Sequence, residues 1–147
     1  MTTQAHYDGI TEGTDLPVLV KHPTRRQLVM YAGASGDFNV FHYDQQAARG
    51  VGLPDVILHG ALKTAFLSQM LAGWVGEGGM LRSLTVRYRD LDLPDTPLFC
   101  KGRVTRKYVE DGHHLVACDV WTENAQGAKT ITGQAVVELP SRLAHSP

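Results

Sequence analysis

The segment from Gly60 to about Val75 most constrains what this chain can become. Ala61, Leu62, Ala65, Phe66, Met70, Leu71 and Trp74 fall on nearly every side of a helix drawn through it. A surface helix carries one apolar stripe, whereas a helix apolar around most of its circumference has to be covered around most of it. Gly76, Gly78 and Gly79 end the segment. The rest of the chain therefore has to wrap it.

The second half supplies the wrapping. Leu84, Val86 and Tyr88 alternate with Thr85, Arg87 and Arg89, and Leu98 to Thr105, His114 to Thr122 and Ile131 to Leu139 repeat the alternation. Period two means antiparallel strands with one face on a core. Turn signals separate them at Pro94-Asp95-Thr96-Pro97, Asp111-Gly112 and Asn124-Ala125-Gln126-Gly127. Leu16–Val20 is a further short strand, with Pro17 at its start or on an edge. The fold class expected is α+β: a long central helix wrapped by a curved antiparallel β-sheet of about five strands. One sheet covers such a helix incompletely, so a homodimer or higher homo-oligomer is expected.

Before the central helix, Thr24 and Gln27 form a capping box, and Leu28, Val29 and Ala32 are its buried stripe; that helix is expected to fail at Gly33 and Gly36. Asp44 caps a short helix ended by Gly50. The polar residues 1–14 read as a flexible lead-in and 140–147 as a flexible tail, leaving one domain over 15–139.

A chain of 147 residues with net charge −1 is not a general nucleic-acid binder, which is normally basic. No apolar run reaches membrane-spanning length, and the N-terminus lacks a signal-peptide pattern, so a cytoplasmic protein without membrane partners is expected. Cys100 and Cys118 have no neighbours at metal-ligand spacing. A tight turn at Asp111-Gly112 sets Cys118 opposite about position 105, so the thiols read as buried and reduced.

Asp37 to His59 has little periodicity, yet Phe38, Val40, Phe41, Val51, Leu53, Val56, Ile57 and Leu58 make it too apolar for a linker. A long irregular stretch of this kind inside a domain points to function. Hydrating a conjugated carbonyl needs a base for water, an acid for the α-carbon, and a donor for the developing enolate oxygen. Asp37 and His42 on one loop can share a water, in a dry setting offered by Phe38, Val40 and Phe41. The unpaired N–H groups where the central helix begins, at His59-Gly60, can serve as the donor, and Gly60 lets a carbonyl approach closely. Plainer readings stay open: Asp37 as a turn residue, His42 at a core edge, His59 as a buried histidine bracing the loop.

Ser35-Gly36-Asp37-Phe38-Asn39-Val40-Phe41-His42-Tyr43-Asp44 resembles the hydratase 2 motif S-G-D-x-N-P-x-H-x-D of the MaoC-like dehydratases, and Ile57-Leu58-His59-Gly60 resembles that family's second landmark. The resemblance implies a hotdog fold and (R)-specific hydration of trans-2-enoyl-CoA, or the reverse dehydration, in fatty acid metabolism. It makes Asp37 and His42 the catalytic pair, Asn39 the residue that fixes the loop, and Gly60 the donor to the thioester carbonyl. Ser68 falls near the acyl pocket, with Phe66 and Leu71 as companion candidates on the same helix; the plain reading of Ser68 is a helix serine bonded to its own backbone. Arg82, Arg87 and Arg89 are candidates for coenzyme A phosphates, against the plain reading of a solvated strand face. No metal or redox cofactor is implied; the substrate itself carries coenzyme A or acyl-carrier protein. Val40 replaces the motif proline, which otherwise stiffens the loop. Rival readings are a hotdog thioesterase, disfavoured because no Asp or Glu lies between Gly60 and Val75, a non-catalytic partner subunit of a heteromeric hydratase, and a small-ligand binding domain.

Overall fold

The computed structural model describes residues 4–143. The chain runs through β1 (Leu19–Lys21), α1 (Arg25–Ser35), α2 (Gln45–Gly50), α3 (Gly60–Val75), β2 (Met80–Tyr88), β3 (Leu98–Glu110), β4 (His113–Glu123) and β5 (Lys129–Glu138). The five strands form one antiparallel sheet in the order β1-β3-β4-β5-β2. Asp111 and Gly112 join β3 to β4 with positive φ at both positions, the conformation a two-residue hairpin needs. Register shifts at Leu81/Ser83 and Val104/Arg106 add the local bend that bulges give a sheet. Gly133 is required by packing: a Cβ there would sit 2.3 Å from the Thr85 carbonyl oxygen on β2.

The sheet curls around α3, which touches all five strands. Leu62, Phe66, Leu67, Met70, Leu71 and Val75 pack into Leu98, Cys100, Val104, Val116, Val120, Ile131 and Val137. The wrapping is less complete than the composition of α3 predicts. Ala61, Ala65, Gln69, Ala72 and Gly73 are exposed on one side, because the sheet covers only the face of the larger apolar residues. Lys63, on the covered side, is buried.

Three boundaries differ from expectation. The first strand is Leu19–Lys21, with Asp15 making only an isolated bridge to Arg103, so Leu16–Val20 is displaced by a few residues. α1 passes through Gly33 and stops at Gly36, whose φ of 75° ends it; the Thr24 hydroxyl accepts from Gln27 N as expected. The lead-in is held to the body from Gln4 on: Tyr7 N–H bonds Pro140 O, Asp8 receives Ser141 Oγ, and Gln4 bonds Val75 O and Gly78 N. Ser141 is correspondingly buried, while 1–3 and 144–147 lie outside the described residues. Cys100 faces Thr122 and Cys118 faces Val104 across β3 and β4, both buried free thiols. No helix among the described residues is long and apolar enough to cross a membrane.

Candidate active site

The loop after α1 is built from a repeating local device. Ser35 Oγ accepts Asp37 N–H at 3.2 Å, Asp37 Oδ1 accepts Asn39 N–H at 3.2 Å, and Asn39 Oδ1 accepts Phe41 N–H at 3.1 Å. Short polar side chains that bond a backbone N–H two residues on create turns without a helix or strand. Three in succession, at every second position, explain why Ser, Asp and Asn recur with that spacing. The last one caps a 3-10 turn, Val40–His42, and Asp44 then caps α2 through Ala47 N–H. Asp37 is thus turn residue and candidate acid at once: one oxygen holds the loop and the other is left over.

That other oxygen, Oδ2, faces His42 Nε2 at 3.8 Å. The opposite ring nitrogen of His42, Nδ1, lies 2.7 Å from Ile57 O. A carbonyl only accepts, so Nδ1 carries hydrogen and Nε2 is the nitrogen presented to Asp37. The His42 side chain is 10% exposed and the Asp37 side chain 50%. The dry setting expected from Phe38 and Val40 is not found in the single chain: they are 60% and 42% exposed, because the loop lies on the surface.

His59 is fully buried beneath the pair. Its ring stacks on His42 with centroids 3.7 Å apart and planes at 22°, and Tyr31 meets it edge-on at 4.9 Å. Nε2–H donates to the Asp37 carbonyl at 3.2 Å, and Nδ1 has no partner among the described residues. Burial, chiefly, pushes its pKa below the ordinary value. Asp37, His42 and His59 bring possible metal-ligand atoms within 4.8 Å of one another. Two imidazoles stacked nearly parallel cannot both aim their in-plane lone pairs at one ion, so in this geometry His42 and His59 do not form a ligand pair.

Beside His42, a cleft of about 400 Å³ is lined by Ile57, Gly60, Lys63, Tyr88, Arg89 and Leu91, among others. Gly60 begins α3, and the N–H groups of Gly60, Ala61 and Leu62 have no acceptor among the described residues. The Tyr88 ring lies against Gly60: a Cβ there would come within 2.9 Å of Tyr88 Cε1. Tyr88 OH is 2.9 Å from Thr64 Oγ1. Tyr88 and Lys63 are cleft residues that the sequence pattern alone did not single out. For Lys63 a signal existed, namely a charged residue on the buried side of an otherwise apolar helix.

The remaining candidates are placed elsewhere. Ser68 Oγ donates to Thr64 O on its own helix, and Phe66 and Leu71 sit in the core; none of the three lines this cleft. Arg82 pairs with Glu138 and contacts His113, seven residues from Arg89 and about 23 Å away along an extended strand. Arg87 and Arg89 line a second cleft of about 430 Å³ with Trp121, Lys129 and Thr132, and Arg89 borders both clefts.

A single helix enfolded by a curled antiparallel sheet, with a carboxylate and a histidine brought together near the helix N-terminus, defines a hotdog-fold protein with a candidate site at that end. The MaoC like domain family matches residues 10–126, and the chain belongs to that family. Among solved structures, the R-hydratase PhaJ1 from Pseudomonas aeruginosa superimposes with a TM-score of 0.85 at 23% identity, covering 93% of this chain and 86% of that one. The (R)-hydratase from A. caviae involved in PHA biosynthesis gives 0.81 at 22% identity, covering 90% and 98%. At such identity these structures share the fold. The fatty acid synthase beta subunit hexB of Dothistroma septosporum is 29% identical over 134 residues; the match takes 90% of this chain and 7% of that protein's length.

Proposed function

We propose that the protein is a hydro-lyase that adds water across the double bond of a trans-2-enoyl thioester, or removes it from the (R)-3-hydroxyacyl thioester. The observation that carries this reading is the placement of Asp37 Oδ2 and His42 Nε2, 3.8 Å apart, beside the free N–H of Gly60. Family membership and the named R-hydratases of the same fold support it. Gly60 N–H polarises the thioester carbonyl. Asp37 and His42 hold one water between them. One of them takes its proton as the oxygen attacks C3, the other delivers a proton to C2, and the thioester carbonyl bears the transient negative charge. The proton taken from water and the proton given to C2 cancel in the sum, and a proton passing between Asp37 and His42 restores the starting state. Adding water involves no net oxidation or reduction, so the step calls for no redox cofactor.

The substrate's carrier is proposed to be coenzyme A. Arg89, between the two clefts, and Arg87 and Lys129 beyond it offer cations to its phosphates. A homodimer is proposed to cover the exposed side of α3 and the outer edge of β2, which has no strand partner among the described residues. The deciding experiment follows loss of enoyl-thioester absorbance with crotonyl-CoA and longer enoyl-CoAs. Wild type hydrates, and Asp37→Asn and His42→Ala each lose about 10²–10⁴-fold. Full activity in either variant overturns the assignment.

A further inference from the structure

Lys63 is 2% exposed and Asp92 6%, and they form an ion pair of 2.8 Å under the cleft. Lys63 Nζ also donates to Asp90 O at 2.9 Å. A buried ion pair is a poor device for stability alone, because apolar residues of similar volume serve as well or better. What this pair holds is specific. Asp92 accepts Leu58 N–H at its own carbonyl, 2.9 Å away. On the other side, Ile57 N–H donates to Phe41 O at 3.0 Å, and Ile57 O receives His42 Nδ1–H. The strip Ile57–Leu58–His59 is therefore bonded along one side to the loop that carries His42 and along the other to Asp92. The strip runs directly into α3, where Lys63 fastens Asp92 one turn further on. Leu58, α3, Lys63 and Asp92 close a ring of covalent and hydrogen-bonded links around the start of the helix.

We propose that Lys63 and Asp92 are positioning residues of the acid–base site: their ion pair fixes the Ile57 carbonyl, and through it the orientation and tautomer of the His42 imidazole. The same clasp, through the Asp90 carbonyl, holds Asp90 and Leu91 in the lining of the cleft beside His42. The catalytic consequence rests on the hydration reading above; the geometric one does not. A carbonyl displaced by about 1 Å is enough to cost on the order of 10²-fold in rate when it orients a reacting group.

The test uses Lys63→Met/Asp92→Leu, which removes both charges at similar volume and leaves neither buried charge unpaired, together with Asp92→Asn, which keeps the backbone carbonyl and a side-chain acceptor. Two quantities are read in the full chain: the ¹⁵N-correlated Nδ1–H resonance of His42, and kcat and KM with crotonyl-CoA. The double variant is expected to fold, to lose or shift upfield the His42 Nδ1–H resonance, and to drop kcat by about 10- to 100-fold with a smaller change in KM; Asp92→Asn moves the resonance the same way by less. A folded double variant with the wild-type resonance and kcat overturns the proposal. Should the double variant not fold, an unchanged resonance in Asp92→Asn overturns it instead. If wild type hydrates nothing, the hydration reading falls, and the resonance still decides the clasp.

Discussion

The imidazole of His59 lies flat against that of His42, ring centroids 3.7 Å apart, while its Nε2–H holds the carbonyl of Asp37. One buried side chain thus touches both members of the proposed acid–base pair, by two different forces. His59→Phe keeps the stack and gives up the hydrogen bond; His59→Gln keeps a donor and gives up the ring. Each is expected to lower kcat about tenfold, and His59→Ala, lacking both, about a hundredfold. Wild-type rates in all three, measured with crotonyl-CoA on folded protein, would remove His59 from the account.

The same burial sets a pH dependence. Burial, chiefly, depresses the pKa of His59 below its ordinary value of 6.5 in the folded chain. Below about pH 6.5 the unfolded chain takes up a proton here that the folded chain resists, so the unfolded state binds more protons. Stability is therefore unaffected by this group at higher pH and falls as pH drops through 6.5 toward the folded value. Urea unfolding at about pH 7.5 and 5.5 is expected to show a larger loss in wild type than in His59→Phe, and an equal loss in the two would contradict it.

Val40 stands where the family motif has proline, and the loop is expected to accept either. Val40 opens the 3-10 turn, its N–H has no acceptor among the described residues, and Asn39 holds φ −57° and ψ 123°, a conformation compatible with a following proline. Val40→Pro loses no hydrogen bond and restricts the unfolded chain. It is expected to stabilise by about 0.4–1 kcal/mol, read as a rise of a few degrees in Tm. A fall in Tm would mean the backbone at Val40 is not the proline-compatible one.

Much of this site was legible because its chemistry and its local folding use the same residues. Ser35, Asp37 and Asn39 are spaced two apart since each bonds the next N–H but one, so the motif that carries the family resemblance also writes the loop. α3 was legible to its ends, since Gly60 and Gly76 bracket a mainly apolar run. Three features were not. Lys63 reads as a polar interruption, and only its distant partner Asp92 reveals why a charge is tolerated inside. Tyr88 reads as one more alternating strand residue, though its ring serves Gly60. The exposed side of α3 reads as covered, because alanine and glycine look apolar wherever the sheet happens to lie.

The two cysteines are predicted to be inert. Burial pushes both thiols up to about 12, so almost no thiolate exists near neutrality. They cannot pair either: Cys100 faces Thr122, which places Cys118 four residues, or about 13 Å, further along β4. Native protein at about pH 8 should resist iodoacetamide, and both thiols should react in denaturant. Modification of the native protein without unfolding would show that β3 and β4 open locally.

Gly60 and Tyr88 make a steric pair whose separation can be measured. A methyl at Gly60 would meet the Tyr88 ring at 2.9 Å, and the ring of Tyr88, a residue 57% exposed whose hydroxyl is bonded to Thr64, is the part able to yield. Alanine in a helix is otherwise favoured over glycine by about 0.5–1 kcal/mol, so Gly60→Ala should not destabilise the fold by more than the ring's displacement costs. Tyr88 lines the cleft beside His42, so the displaced ring is expected to intrude where the proposed thioester would lie. Gly60→Ala is therefore expected to keep Tm within a few degrees while kcat/KM falls about tenfold. Tyr88→Ala frees the space, so adding Gly60→Ala to it should cost little more. A double-mutant cycle reads this as strong coupling between the two positions, on the order of 1 kcal/mol or more. Additive losses would instead mean that the methyl acts on the Gly60 N–H directly and that Tyr88 is a bystander.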